Sequence, residues 1–390
     1  MSFMNIQGHR ICIIVPSSEA RGTRRVVDDY RSYFEKIGAV VELKSPPQTW
    51  PKWRILAWEL LALYLRSCKK EDILLSPNGR ISPRVFLGSK RVYMVVLLDT
   101  MNVGFRKLVS SEFRLTEKVN ILINSVLMPP SILGSTYVTA ISKKTSADFV
   151  TYLKKRNPRS GTLDRGLKCV VVYPGGSFRD SALGSGEICD TERPGIESAI
   201  WISGETRNKG FIEGMGLLKG YATEFGIEEA YIYGIRSARL KDSAERLMIG
   251  RECRIVFEAV NSREEKLIQC YLEAKVALCL SKREGYGIPF LDALMVGIPV
   301  IATKIDTYLE IVKMVSELID TMPPILWIEH REQGIPRLDK AIVNRFRSQR
   351  SSYCLPSKAE RIKRYKEINT QITLRSADTL AKYLFTLAII

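Results

Sequence analysis

Short apolar segments alternate with longer amphipathic segments along most of this chain of 390 residues, and no other feature limits its fold as strongly. Residues 10–15 are almost entirely apolar, which is typical of a strand that is covered on both faces. The next segment, which runs to Ile37, spaces its apolar residues by three and four positions, as an amphipathic helix does. Because this strand–helix order repeats, the sequence predicts an α/β protein with doubly wound, parallel sheets.

The predicted strands form two series with an irregular segment between them. The first series comprises residues 10–15, 39–43, 73–75, 92–98, 137–141 and 169–173, and the second comprises residues 199–203, 230–234, 254–257, 276–280 and 300–302. Residues 174–198 are rich in Gly, Ser and Pro and lack periodicity, which indicates a linker or a surface loop. Two helices are predicted after Pro356, at 358–368 and 376–387. We therefore expect one domain at 1–180, a second at 181–370 and a C-terminal helix within 371–390.

Composition excludes several classes of protein. The 45% hydrophobic and 26% charged residues are ordinary for globular domains and exclude wholesale disorder. Only two histidines occur, His9 and His330, in opposite parts of the chain, which disfavours a histidine-built zinc site and a Ser-His-Asp triad. The eight cysteines include no C-x-x-C pair, so reduced thiols are expected. No signal-peptide pattern occurs, and the longest apolar stretches span about half a membrane, so we expect a soluble, cytoplasmic protein.

The segment 281–302, SKREGYGIPFLDALMVGIPVIA, carries the clearest chemical signal. It follows the apolar run 276–280, so Glu284 lies just beyond the carboxyl end of a predicted strand, where open α/β sheets bind ligands. Gly285 and Gly287 allow the backbone to approach a ligand closely. A helix that begins near Ile288 would direct its first amides towards the same place, which suits a phosphate. Asp292 follows Glu284 by eight residues, so both acids could contact sugar hydroxyls.

This segment resembles the E-x7-E signature of the retaining glycosyltransferases of family 4. The match runs from Glu284 to Ile301 and reads EGYGIPFLDALMVGIPVI. The resemblance implies the GT-B fold, in which two Rossmann-like domains face a cleft. It also implies that Glu284 contacts the donor sugar, that Asp292 binds the nucleotide ribose, and that the loop of Gly285, Tyr286, Gly287 and Ile288 lines the donor site. Asp292 replaces the family's second Glu and is one methylene shorter.

Residues 201–211, WISGETRNKGF, resemble a second motif of this family, a strand that ends in Gly-Arg and is followed by Lys-Gly. Gly204, Lys209 and Gly210 fit this pattern, whereas Glu205 occupies the position of the arginine and Arg207 follows two residues later. The resemblance implies that Lys209 and Arg207 neutralise the donor diphosphate. Fixed cations there would stabilise the negative charge of the leaving group.

In the N-terminal half the resemblance is confined to single positions. Gly22 lies in a segment, 16–23, that stands where the family has a glycine-rich loop. Asp99 stands where many members have a histidine near the donor sugar, although it could equally cap the following turn. No essential divalent metal is expected, because Asp28 and Asp29 lie on a charged helix face and do not form a D-x-D clamp.

The activity that the resemblance implies is retaining transfer of a hexose from a UDP- or GDP-sugar to a hydroxyl of a glycan or lipid-linked saccharide. No cofactor other than this donor is implied. The second domain would bind the donor and the first the acceptor, and the final helix would return to the first domain. A non-catalytic protein that binds sugar nucleotides is the alternative.

The formal net charge of +17 bears on three further interpretations. Nucleic-acid binding is not expected, because no helix-turn-helix, zinc or RNA-recognition signature occurs. Three tryptophans, Trp50, Trp53 and Trp58, lie among basic residues in the sequence. Their side chains either belong to the core or form an interfacial surface that binds a lipid-linked acceptor or anionic membrane lipid. The run 340–366 contains nine Lys and Arg and one acid, Glu360, and is either a solvated helix surface or a contact for a membrane or nucleic acid.

Overall fold

The computed structural model describes residues 10–15, 21–47, 49–51, 54–55, 58, 68, 73–77, 92–98, 122, 125–126, 131–132, 135–156, 169–183, 197–205, 207–258, 264–329 and 338–387. The chain divides into two compact units. One unit combines Met1–Gly175 with Gln371–Ile390, and the other is Gly176–Thr370.

The first unit contains a parallel sheet of six strands in the order β2-β1-β3-β4-β5-β6. The strands are β1 (Arg10–Ile14), β2 (Val40–Lys44), β3 (Ile73–Pro77), β4 (Tyr93–Leu97), β5 (Tyr137–Ala140) and β6 (Cys169–Val171), and the described helices are α1 (Arg21–Lys36) and α2 (Lys143–Arg156). Helix α1 buries Tyr30, Tyr33 and Phe34 completely, as its spacing of apolar residues predicts.

The second unit contains another parallel sheet of six strands, in the order β12-β11-β10-β7-β8-β9. Its strands are β7 (Ser198–Ile202), β8 (Glu229–Tyr233), β9 (Arg254–Glu258), β10 (Val276–Cys279), β11 (Val300–Thr303) and β12 (Ile325–Ile328). Its described helices are α3 (Asp180–Leu183), α4 (Phe211–Tyr221), α5 (Ala238–Met248), α6 (Glu264–Glu273), α7 (Ile288–Val296), α8 (Asp306–Ser316), α9 (Lys340–Ser352) and α10 (Lys358–Leu387), of which α10 continues into residues of the first unit.

The predicted fold class is confirmed, because both sheets are parallel and helices lie in the described connections between their strands. The predicted strands are present within one or two residues of their expected bounds. Strand β12 was not predicted. It consists of only four residues, ILWI, and follows Pro323 and Pro324, so neither its length nor its periodicity distinguishes it from a loop.

The prediction of two final helices was wrong, because α10 is one helix of 30 residues. No glycine or proline interrupts residues 369–375. Ile368, Ile372 and Ser376 are 2–3% exposed and follow one another at intervals of four. They continue one buried stripe through the segment that was expected to separate the helices.

Residues 174–198 contain the boundary between the two units, which falls after Gly175, but the beginning of this segment is not a surface loop. Residues 174–176 are buried, and Phe178 is 1% exposed. The Phe178 ring lies 4.9 Å from that of Tyr365 and 5.3 Å from that of Tyr271, both measured between centroids. Helix α3 follows directly, so the chain from 176 onwards is part of the second unit's packing.

Trp58 and Asp29 of the first unit belong to its interior. Trp58 is 8% exposed in a cluster with Cys68, and Trp50 packs against this cluster. These two residues agree with the core interpretation, whereas Trp53 lies outside the described residues. Asp29, which was expected on a charged face, is 4% exposed and forms an ion pair of 3.1 Å with Arg25. No helix in the described part of the chain is long and apolar enough to cross a membrane.

Candidate functional site

The loops after β7 and β10 meet at the carboxyl edge of the second sheet. Strands β8 and β9 follow β7 on one side in the sheet, whereas β10, the next strand in sequence, lies on the other side of β7. In open parallel sheets such a reversal of strand order separates the following loops and opens a crevice for a ligand. Here the two loops remain in contact, because the Lys282 amide donates a hydrogen bond of 2.7 Å to the Asn208 carbonyl.

Gly210 allows the first of these loops to pass close to β10. Its φ of 69° lies in the left-handed region, and a Cβ at this position would lie 2.0 Å from the backbone oxygen of Leu280. A side chain would therefore separate the loop from the strand. Phe211 then begins α4 and stacks on Trp201 of β7 at 5.6 Å between ring centroids. These contacts determine where the preceding residue, Lys209, lies.

We expect Gly210→Ala to lower the free energy of unfolding by about 2 kcal/mol, because it combines a left-handed backbone with a clash against backbone atoms. Chemical denaturation of the purified variant measures this loss. Gly220→Ala is the matched control in the same helix, since a Cβ there meets nothing within 4 Å. It should be neutral or stabilise by about 0.5–1 kcal/mol. Equal stabilities for the two variants would contradict the assigned contact.

Lys209 and Glu284 form an ion pair at the centre of this edge. The Lys209 Nζ donates to Glu284 Oε1 at 2.7 Å and to Oε2 at 2.9 Å. Their side chains are 34% and 15% exposed, so both groups remain accessible to a ligand. Lys209 ends a 3-10 turn, Arg207–Lys209, so Arg207 lies on the same turn, but its side chain is outside the described part. The structure thus brings together two predicted site residues that are 75 positions apart.

The loop that follows Glu284 packs against aromatic side chains. Gly287 caps α7 with a φ of 106°, and a Cβ there would lie 2.5 Å from the Tyr308 ring. Phe290 stacks on Tyr308 at 4.4 Å between ring centroids, and Tyr286 is 3% exposed. Pro289 occupies the first turn of α7, as predicted. Gly285 and Ile288 are half-buried neighbours in this loop.

Two buried groups under the loop remain neutral at physiological pH. Burial raises the pKa of the Cys279 thiol, and the nearby charges of Glu284 and Asp292 raise this pKa further. Burial likewise raises the pKa of the Tyr308 phenol, with a smaller contribution from Glu284. Neither group therefore adds a negative charge beside Glu284. The described residues contain no group of three or more His, Cys, Asp or Glu that could hold a metal ion.

Glu205 is hydrogen-bonded to the loop after β8. Its Oε1 accepts hydrogen bonds from the backbone amides of Arg236 at 2.6 Å and Ser237 at 2.5 Å. Ser237 in turn caps α5 by accepting a hydrogen bond from the Leu240 amide. Gly204 lies directly before Glu205, and a Cβ on it would be 3.2 Å from the Lys209 side chain. Sequence reasoning missed these hydrogen bonds because the amides that Glu205 binds belong to a different loop.

Asp292 lies in the interior of the second unit. It is 2% exposed, and its Oδ1 accepts hydrogen bonds from the Ser177 amide at 2.8 Å and from the Tyr365 hydroxyl at 2.9 Å. Its Oδ2 accepts a further hydrogen bond from the Ser177 hydroxyl. Gly176 passes so close that a Cβ would lie 2.7 Å from Asp292 Oδ1. The predicted contact with ribose stays a prediction, and what the structure shows is a carboxyl group held by its own chain.

The remaining predicted residues belong to the first unit. Gly22 lies in the first turn of α1, and its predicted place in the donor site stays a prediction. The helix begins at Arg21, because the residues that follow carry the apolar spacing of α1. Asp99 lies outside the described residues, and its role stays a prediction.

Comparison with known proteins agrees with this architecture. Residues 229–320 match the family model described as glycosyl transferases group 1, a segment that includes Glu284 and the whole of α7. No curated protein was found to match the sequence.

Several solved structures are similar along nearly the whole chain. An α,α-trehalose-phosphate synthase (UDP-forming) from Burkholderia xenovorans in complex with glucose-6-phosphate is 11% identical with a TM-score of 0.60, covering 98% of this chain and 100% of that one. A trehalose-6-phosphate structure from E. coli bound with UDP-2-fluoro glucose is 10% identical with a TM-score of 0.53, covering 98% and 99%. The catalytic domain of starch synthase IV from Arabidopsis thaliana bound to ADP and acarbose is 12% identical with a TM-score of 0.53, covering 94% and 99%.

At such low identity these likenesses establish a shared fold. This chain has two parallel six-stranded sheets with flanking helices and a long C-terminal helix. The chain therefore has the GT-B fold, and its residues 229–320 match the glycosyl transferases of group 1.

Proposed function

We propose that the protein is a retaining glycosyltransferase that moves a hexose from a UDP- or GDP-sugar to a hydroxyl group of a glycan or lipid-linked saccharide. The observation that carries this proposal is the pairing of Lys209 with Glu284 at the reversal of strand order in the second sheet. A cation and a carboxylate at this edge match two adjacent parts of a nucleotide sugar. The cation suits the diphosphate, and the carboxylate suits the hydroxyls of the sugar.

In the proposed complex the ion pair separates, and each of its two residues binds the donor. Lys209 turns from Glu284 to the diphosphate, and Glu284 then accepts hydrogen bonds from the sugar. Arg207, on the same 3-10 turn, is the second cation that we assign to the diphosphate. The backbone amides at the start of α7 lie in the same loop as Glu284 and add positive partial charge.

The chemical step that we propose needs no side-chain base and no metal. The bond between the anomeric carbon and the phosphate oxygen breaks as the acceptor oxygen attacks from the same face. The acceptor's proton passes to the leaving diphosphate, so atoms and charges balance. Lys209 stabilises the negative charge that develops on the leaving group. A cation that is already in place is effective, because it needs no reorganisation during the reaction.

Similar folds support a nucleotide-sugar donor. The E. coli structure contains UDP-2-fluoro glucose and the starch synthase structure contains ADP, and both share this chain's fold. Contact with an anionic membrane, a lipid-linked acceptor and a cytoplasmic location remain predictions.

The test is a screen of UDP- and GDP-sugars by thermal shift and by donor hydrolysis. A donor at about one hundred times its Kd should stabilise the native protein by about 2.7 kcal/mol, which raises Tm. Glu284→Gln should lower turnover strongly, while Glu224→Gln, at an exposed position in the loop after α4, should leave it unchanged. If no nucleotide sugar raises Tm, the proposed function fails.

A non-catalytic sugar-nucleotide-binding protein is the second candidate. Glu205 stands where the family has an arginine, and its carboxylate is bound to the backbone of another loop. A rise in Tm with a donor, without hydrolysis or transfer across an acceptor panel, would favour this candidate.

A further inference from the structure

A second cleft lies at the opposite edge of the same sheet. Three of its lining residues, Glu197, Lys275 and Pro299, directly precede β7, β10 and β11, which are neighbours in the sheet. Lys209 and Glu284 follow two of these strands. Four or five residues of strand, at about 3.3 Å each, separate the two edges by at least about 13 Å. The cleft is therefore distinct from the proposed donor site.

The cleft has the size and walls of a small-molecule site. Its volume is about 380 Å³. Phe225, Pro299 and Leu355 contribute apolar walls, while Ser351 at the end of α9 contributes a hydroxyl. Sites for small molecules usually combine such apolar surface with a few polar groups that determine specificity.

The charged groups around this cleft favour an anion. Lys275, Arg347 and Arg350 line it, against the single carboxylate of Glu197. Within the described part of the chain, neither the Lys275 ammonium nor the Arg347 guanidinium has an ion-pair partner. Both cations are thus available to a ligand.

Arg350 supplies a preorganised donor group. Its guanidinium donates to the Phe225 carbonyl and to the Glu197 carboxylate, and its side chain is 18% exposed. Burial lowers the pKa of Arg350, because desolvation penalises the charged form of the guanidinium. A bound anion would be a second charged partner for the Arg350 guanidinium, and the side chain would not have to change its position.

We propose that this cleft binds a phosphate dianion, either free or as the monoester of a small metabolite. A phosphate of this kind carries a charge of about −1.5 to −2 at neutral pH. The three cations and one carboxylate of the lining leave a net charge of +2, which balances it. This function is independent of the proposed transfer reaction, and it gives part of the basic run 340–366 a specific role.

The experiment is calorimetric titration of the full-length protein with inorganic phosphate and, separately, with glycerol 3-phosphate at constant ionic strength. The paired change Lys275→Gln with Arg347→Gln should weaken binding by about tenfold or more, because each lost cation removes a charge-assisted contact. The control pair, Lys340→Gln with Arg345→Gln, removes the same charge from exposed positions of α9 outside the cleft and should change Kd by less than about twofold.

Equal affinity for the two probes would identify the phosphate group as the whole ligand, and tighter binding of glycerol 3-phosphate would show that a carbon skeleton contributes. Both results support the proposal. Absence of saturable binding to the wild type, or equal weakening by the two pairs of substitutions, would overturn it. Thermal melts of both variants verify that folding is intact. The outcome is therefore separate from that of the donor screen.

Discussion

Lys209→Met is expected to lower the rate of sugar transfer by about 100-fold or more while leaving the protein folded. Methionine keeps most of the length of the side chain but removes the charge, and the loss of one preorganised group that stabilises developing negative charge costs roughly 10²–10³ in rate. Turnover of the donor identified in the screen is the measurement. Lys313→Met, at an exposed position of α8, is the control and should retain wild-type turnover.

A charge exchange separates the structural role of this ion pair from its chemical role. Lys209→Glu combined with Glu284→Lys keeps opposite charges 75 residues apart in sequence and in contact in space. This double variant should retain most of its Tm but not its activity, because the cation then lies in the loop after β10. Wild-type activity in the exchanged protein, or in Lys209→Met, would contradict the assignment of Lys209 to the diphosphate.

Asp292→Ala is expected to destabilise the second unit by about 3 kcal/mol or more. The substitution leaves the Ser177 amide, the Ser177 hydroxyl and the Tyr365 hydroxyl without their acceptor, and each buried group left unpaired costs roughly 1–3 kcal/mol. For a unit of this size each kcal/mol lowers Tm by about 2–4 °C. Thermal and chemical denaturation measure the loss, with Asp320→Ala, an exposed change before β12, as the control.

The same variants distinguish this anchoring role from contact with ribose. Tyr365→Phe removes the hydroxyl that donates to Asp292 and accepts from the Phe178 amide, so it should reproduce part of the loss of stability. A double-mutant cycle between Asp292 and Tyr365 then measures their coupling. If Asp292→Ala leaves Tm unchanged and weakens only UDP binding, the anchoring role is wrong and the ribose contact is supported.

The local parts of this architecture could be predicted from the sequence. The run before Glu284, the glycines after it and the proline at the start of α7 lie within a few residues of one another, so their order alone indicates a strand, a loop and a helix. The continuity of α10 could also have been predicted from the spacing of Ile368 and Ile372. Strand β12 could not, because four apolar residues after two prolines have no decisive period.

The composition of the candidate site depended on contacts between distant segments. Glu205 binds amides that follow β8, and Asp292 binds a segment 115 residues earlier. The cations of the second cleft come from the residue before β10 and from α9. No pattern within a single segment records such partners.

The sequence by itself determined the α/β class, the two series of strands and the glycine-rich loop that carries Glu284, because these depend on periodicity and on the conformational needs of neighbouring residues. Only the tertiary structure decided that Lys209 faces Glu284, that Asp292 is buried and that a basic cleft opens at the opposite edge. The reason is the order of the strands. β10 lies beside β7, and this neighbourhood decides which loops meet at each edge of the sheet.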